Sequence, residues 1–293
     1  MLRTLLSPLF GFLHRIRVFL VGLLLIGLPV FLYLAFSTEP VFTPENDVTL
    51  GEQTAASIAA DPEEYPLLPK EEYPEAYEHL QRIVDRVVAS EAIQYRDLFA
   101  YDDVRIIHDD DVLNAFCTPG GFIYVYSGLI QYLDSEDALA GVLGHEIGHA
   151  ERRHSSVRIQ REFGAQRLLD LFILGSAVTV GDVVGASILK ELISSNYSRG
   201  QEAESDSLSV HYLDGSGYRC DGAAGFFQKL LAEGGSPAIP EWASSHPDPG
   251  RRVQNIQRVA GSVQCSVEPS PSENWRAFQA SLPPVPAPDP ASG

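Results

Sequence analysis

Residues 135–154 read SEDALAGVLGHEIGHAERRH, and this stretch limits the fold more tightly than any other. Ser135 can cap a helix N-terminus, Glu136 and Asp137 suit the positive end of its dipole, and Leu139, Val142, Leu143, Ile147 and Ala150 supply an apolar stripe. The segment is therefore a helix heading into a core. His145 and His149 stand four residues apart on one face, where two imidazoles can reach a single tetrahedral metal. Glu146 is displaced around the helix and can hold a water at that metal without being a ligand. HExxH fixes only three positions, so a helix merely rich in polar residues is the competing reading until a third ligand is found. The three-histidine extension of the motif is excluded, because Arg152 and Ser155 stand where it needs Gly and His.

A third ligand is available downstream, in NYSRGQEAESDSLSVHYLDGSGY, residues 196–218. Glu202 and Asp206 lie four apart on a second predicted helix that stops near Gly215 and Gly217, so the two carboxylates share a face. One can bind metal while the other accepts a hydrogen bond from the free ring nitrogen of a ligating histidine. An arbitrary ExxxD pair is usually a solvated acidic face; an upstream HExxH reverses that preference.

The N-terminus sets the location. Residues 18–36, VFLVGLLLIGLPVFLYLAF, run without a charge and are long enough to cross most of a hydrocarbon layer about 30 Å thick. Arg3, Arg15 and Arg17 precede the run and Glu39, Glu45 and Asp47 follow it, which predicts a cytoplasmic N-terminus with the rest of the chain across the membrane. A cleaved signal peptide is the alternative, but no small-x-small site follows LYLAF. A second apolar stretch, residues 168–189, carries Asp170, Asp182 and several glycines and reads as buried helix rather than a membrane hairpin. Short runs at Val104–His108 and Phe122–Tyr126 read as strands, and 50–93 has helical patterning interrupted by DPEEYPLLPKEEYP. The formal net charge of -18 argues against a nucleic-acid partner. The cysteines, at 117, 220 and 265, are too few for a disulfide scaffold or a Cys-type zinc module. Beyond the anchor, in an oxidising compartment, Cys220 and Cys265 could form one bridge.

Taken together these motifs resemble the HtpX/CAAX prenyl protease family of zinc metallopeptidases, gluzincins with HExxH and a downstream ExxxD. The resemblance runs from about Gln53 to Val259 through four segments in order: LNAFCTPGGFIYVYSGLI, the HExxH helix with its extra Arg-His, SRGQEAESD, and SSHPDPGRRVQNI. It implies one Zn2+ per chain held by His145, His149 and Glu202, with Glu146 as general base and Asp206 supporting a ligand histidine. Ser205 departs from the family's usual Ala, and Cys117 from a small apolar residue. By resemblance His246 either donates to the oxyanion of the tetrahedral intermediate or occupies the open zinc position in a resting state; a surface turn around Pro247–Gly250 is the bland alternative. Arg252 orients that loop or pairs with an acid, and His154 is structural. Asn114 and Ala115 would lie at the entrance of a substrate site, Gly120 and Gly121 would admit a substrate backbone, and Phe122 to Tyr126, with Phe122 and Tyr124, would form the edge strand along which a peptide pairs.

The expected architecture is α+β, a mostly helical zincin-type metalloprotease domain with a small β-sheet whose edge strand borders the zinc site, preceded by one transmembrane helix. Its expected parts are a cytoplasmic N-terminus (1–17), the transmembrane anchor (18–36), a linker (37–49), the zinc metallopeptidase domain (50–266) and a Pro-rich tail (267–293). The expected activity is hydrolysis of peptide bonds in unfolded or damaged envelope proteins by a single-pass inner-membrane enzyme with a periplasmic catalytic domain. Its partners would be protein or peptide substrates, the membrane through the N-terminal helix, and an unidentified envelope protein. A membrane-tethered chaperone or binding module with a closed zinc site, and a non-peptidase zinc hydrolase, are the competing readings.

Overall fold

A computed structural model of the chain describes residues 14–36, 43–161, 197–233, 246, 248–271 and 273–284. It comprises two compact units, one of residues 1–42 and 156–179, the other of residues 43–155 and 180–293. The apolar stretch 168–189 lies outside the described residues.

In the first unit residues 14–36 are helical throughout, with a π-helical turn at Leu23–Gly27 followed by an α-helix at Leu28–Phe36. Gly22 (φ -61°, ψ -44°) and Leu28 (φ -66°, ψ -46°) keep right-handed helical dihedrals on either side of that turn. Val18, Phe19, Leu24, Leu25 and Ile26 are all exposed. Among the described residues no single helix is long and apolar enough to cross a membrane, the π turn dividing this stretch into shorter pieces.

The second unit opens with helix α1, Pro44–Ala59. Thr43 starts it with a reciprocal capping box: its hydroxyl accepts from the Asn46 amide and the Asn46 side chain accepts from the Thr43 amide. The linker expected over 37–49 therefore gives way to helix at Pro44, because Thr-Pro-x-Asn is a start signal that outweighs the polar composition. Helix α2, Pro74–Val88, buries Ala76, Tyr77, Leu80, Ile83, Val84 and Val87, an apolar stripe at helical spacing.

Three short strands follow, β1 (Val104–Ile107), β2 (Ala115–Cys117) and β3 (Ile123–Tyr126). Their order is β1-β3-β2, with β1 parallel to β3 (Val104 opposite Ile123) and β2 antiparallel to it (Ala115 opposite Val125). The segment expected at the edge, 122–126, is thus central to the sheet, and among the described residues β2 is an edge. The outer side of β1 is partly covered, since the Leu68 amide donates to Ile106 O and the His108 amide to Pro66 O. Ile123 and Val125 point into the main core, while Phe122, Tyr124 and Tyr126 join Phe116, Ile107 and Ile58 of α1 in a second cluster.

The helices that carry the site come next: α3 (Ser127–Tyr132), α4 (Glu136–Glu151), α5 (Arg199–Leu213), α6 (Gly222–Ala232) and α7 (Pro249–Val263). All sixteen residues of α4 are buried, so it is the central element rather than an amphipathic surface helix. Close approach makes this possible. A Cβ on Gly141 would stand 1.9 Å from the Ala223 nitrogen, one on Gly144 2.8 Å from Ser209 Oγ, and one on Gly148 3.2 Å from Ser205 Cα. Glycines at 141, 144 and 148 let α5 and α6 lie directly on the helix that holds HExxH. The Cys220–Cys265 disulfide ties the turn before α6 to the end of α7.

A last helix, α8 (Glu273–Ala280), falls where the sequence suggested only a Pro-rich tail. Trp275, Phe278 and Leu282 are buried, the Trp275 indole donates to Leu133 O at 3.2 Å, and Phe278 stacks on His79 at 5.5 Å. Two aromatics three residues apart form an apolar face that the surrounding prolines and serines mask in composition.

Candidate metal centre

Helix α4 places His145 and His149 one turn apart with their Nε2 atoms 3.0 Å from each other. Helix α5, capped by Ser198 and Gln201, brings Glu202 across them, Oε2 lying 3.5 Å from His145 Nε2 and Oε1 3.5 Å from His149 Nε2. His246 Nδ1 completes the group, 3.2 Å from His145 Nε2 and 2.9 Å from Glu202 Oε1. One donor atom from each of the four lies within 4.8 Å of all the others, and all four residues are buried. Tetrahedral ligands about 2.0–2.1 Å from zinc stand roughly 3.3–3.4 Å apart. The separations above scatter around that value, so the donors fit such an ion.

Their ionisation fits as well. Burial holds His145 well below the ordinary imidazole range, with Arg252 and His149 adding to the effect. Burial also brings His149 down to about 4. Both rings are neutral near pH 7, the state that offers a lone pair to a metal. For Glu202 burial pulls upward, but the neighbouring His246, His149 and His145 prevail and keep it a carboxylate far below the usual range. Neutral imidazoles with one carboxylate form a donor set suited to zinc.

The surrounding residues orient these donors. Asp206 Oδ1 lies 3.1 Å from His145 Nδ1, the position of an acceptor that fixes the ring with Nε2 toward the metal. Arg252, from the first turn of α7, donates from Nε to Asp206 Oδ2 at 3.0 Å, sets Nη1 3.1 Å from Glu202 Oε2 and lies over the Phe227 ring at 4.4 Å. Burial pushes the Asp206 carboxyl up and the Arg252 guanidinium opposes it. Glu146 is buried beside the group, its Oε1 3.5 Å from His246 Nε2.

The residues expected to meet substrate divide differently. Asn114 immediately precedes β2 and Ala115 lies in it; the Asn114 carbonyl accepts from the Tyr126 amide of β3 and the Thr118 amide donates to Phe122 O just before that strand, which by antiparallel alternation turns the backbone groups of Ala115 and Cys117 to the outer edge. Asn114 is 1% exposed, and its Nδ2 has no hydrogen-bond partner among the described residues. Phe122 and Tyr124 instead sit in the second cluster, Tyr124 stacked on Phe116 at 4.8 Å, and the β3 backbone is paired on both sides. Gly120 (φ 77°) and Gly121 (φ 89°) admit protein rather than substrate: a Cβ would meet Val48 Cα of α1 at 2.6 Å in the first case and Phe99 Cβ at 2.7 Å in the second.

Two neighbours of His149 were not singled out as site residues from the sequence. Tyr197 stacks on its ring at 3.9 Å and shares a hydrogen bond with Ser155 at 2.8 Å. His154 approaches it Nδ1 to Nδ1 at 2.9 Å. The extra Arg-His after HExxH was the only available signal for the second.

Comparison with known proteins agrees with this geometry. Residues 74–260 match Peptidase family M48. The chain is 29% identical over 167 residues to the metalloendopeptidase OMA1, mitochondrial, of Bos taurus, covering 53% of this chain and 32% of the bovine protein. It is 28% identical over 169 residues to the Beta-barrel assembly-enhancing protease of Yersinia pestis, covering 53% of this chain and 34% of that protein. It is 30% identical over 156 residues to the metalloprotease YcaL of Escherichia coli, covering 50% of this chain and 59% of YcaL. The matched region thus spans between about a third and three fifths of these relatives' own lengths.

Proposed function

This chain belongs to peptidase family M48, and from that premise we propose that it is a membrane-anchored zinc metalloendopeptidase acting on unfolded or damaged proteins of the cell envelope. The observation that carries the reading is the convergence of His145, His149 and Glu202 donor atoms at 3.0–3.5 Å, buried and with Glu146 alongside. Bound zinc supplies Lewis acidity at that point. Glu146 takes the proton of the attacking water and returns it to the leaving amine. Asp206 and Arg252 hold the ligands in register, and an extended peptide adds to the outer edge of β2 through the backbone groups of Ala115 and Cys117, with the Asn114 amide at the strand's start.

Anchoring is supported by residues 14–36. Gly22 and Leu28 keep right-handed helical dihedrals on either side of the π turn, the charge-free residues 18–36 would rise as helix by roughly 28 Å, most of a hydrocarbon layer of about 30 Å, and Val18, Phe19, Leu24, Leu25 and Ile26 are exposed. The arginines before the run and acids after it orient the catalytic unit away from the cytoplasm. An envelope role draws on the Yersinia relative, whose name assigns that protein to enhancing β-barrel assembly.

His246 favours a second state of the same enzyme. Its Nδ1, 2.9 Å from Glu202 and 3.2 Å from His145, takes the place a fourth donor would have, which suits a closed resting site rather than a group aimed at an oxyanion. The test is digestion of casein by the zinc-loaded full chain in detergent, with Glu146→Gln beside it. Cleavage by the wild type alone, with zinc bound in both, is expected. Equal cleavage by the variant removes Glu146 from the mechanism, and cleavage by neither favours a closed binding module over the enzyme.

A further inference from the structure

We propose that His154 is a positioning residue for the metal centre, accepting the Nδ1 proton of His149 and so fixing the ring with Nε2 toward the other donors. The inference rests on the reading of His149 as a ligand. Its Nε2 faces His145 at 3.0 Å and Glu202 at 3.5 Å, so that nitrogen must be the one with the free lone pair. The ring proton is then on Nδ1, 2.9 Å from His154 Nδ1, and only one of two facing Nδ1 atoms can carry a proton in a hydrogen bond. His149 is the donor and His154 the acceptor. The His154 proton is left on Nε2, 3.5 Å from Glu204 Oε2, and Glu204 is held by Arg152 Nε at 2.8 Å.

The backbone is bent to make this contact. In an uninterrupted helix of 3.6 residues per turn, a residue five positions on is rotated by roughly 140° and cannot face its predecessor. Helix α4 ends at Glu151, and Arg153 adopts φ 55°, a left-handed conformation unusual for a residue with a side chain. That reversal swings His154 back beneath His149. An Asp47–Arg153 ion pair, with Nε donating to Oδ2 at 2.5 Å and Nη2 to Oδ1 at 3.0 Å, fastens the turn to α1. Strain retained against a buried contact points to a function for what it positions.

The two ligands of α4 thus have unlike supports. His145 leans on the carboxylate of Asp206, whereas His149 leans on a neutral imidazole and stacks against Tyr197. An imidazole orients the ring without adding another carboxylate to a site that already buries Glu146, Glu202 and Asp206.

The test compares His154→Leu with His154→Asn in the full chain in detergent, whose amide oxygen can replace Nδ1 as acceptor in a side chain of similar shape. Zinc affinity is read by chelator competition and coordination by the visible spectrum of the cobalt-substituted protein. Leu is expected to weaken zinc by roughly ten- to a hundredfold and to alter the cobalt bands, and Asn to restore both to within about threefold of wild type. Wild-type affinity in Leu, or equal losses in Leu and Asn, overturns the proposal. Should Leu fail to fold, Asn alone decides: tenfold weaker zinc with altered bands overturns it, and retention supports it. Wild-type protein that takes up no zinc refutes the reading of the centre itself, a different result from any of these.

Discussion

The turn at Arg153 depends on a buried ion pair whose energetics can be worked from its surroundings. Asp47 and Arg153 side chains are 2% and 10% exposed and meet in a bidentate contact. Removing one member of such a buried pair costs about 3–5 kcal/mol. Asp47→Ala should therefore lower stability by that amount. Arg153→Gly breaks the same pair but recovers about 1 kcal/mol, since glycine adopts φ 55° without a Cβ penalty. It should cost roughly 2–4 kcal/mol. The double variant removes both charges, so its loss should fall short of the sum of the singles by about 1–3 kcal/mol. For a catalytic unit of this size each kcal/mol moves Tm by about 2–4 °C, giving drops of roughly 6–20 °C for Asp47→Ala. Thermal unfolding of the zinc-loaded protein, followed by circular dichroism, measures all three. Strictly additive losses, or single variants within about 2 °C of wild type, would refute the idea that this pair holds the turn.

Two further outcomes are expected. Ser205 is fully buried with an Oγ that has no hydrogen-bond partner among the described residues, so Ser205→Ala should raise stability by about 1 kcal/mol, and a lower Tm would contradict that. Chelator-treated protein should lose stability on acidification from about pH 6.5 to 5, above the carboxylate range. An unfolded histidine titrates near 6.5 while burial keeps folded His149 neutral down to about 4, so at this residue the unfolded chain binds more protons throughout that window. A urea midpoint that stays flat or rises over that interval would falsify the assignment of a neutral buried ring.

The parts of the site readable from sequence were those set by helical spacing. His145 and His149, and Glu202 and Asp206, are each four apart on uninterrupted helices, so period alone places each pair on a face. The sheet was less readable because period two says which residues are buried but not which strand is central. IYVY is buried on both faces, and a hidden three-residue partner, AFC, took the edge. His154 was illegible for a different reason: five positions after a ligand it lies off the helical face, and only the left-handed Arg153 brings it back. Nothing in the string RRH marks that dihedral, whose stability comes from an aspartate 106 residues earlier.

The polar content of α4 then has a physical division. At its first turn Glu136 is met by Arg82 and Tyr218, and Asp137 by the amides of Arg219 and Ser270. At its last turn Glu151 accepts from the Gln94 amide and the Tyr101 hydroxyl, although burial still pushes its carboxyl upward. These acids fasten the helix to α2, to the chain before α6 and α8, and to the loop ahead of β1. Between them, where Gly141, Gly144 and Gly148 bring α5 and α6 close, His145 and His149 face the donor atoms of Glu202 and His246. Buried lone pairs converging in this way repel one another unless a proton or a cation lies among them. The helix ends are satisfied by the chain alone, and the middle is built to be satisfied by a metal.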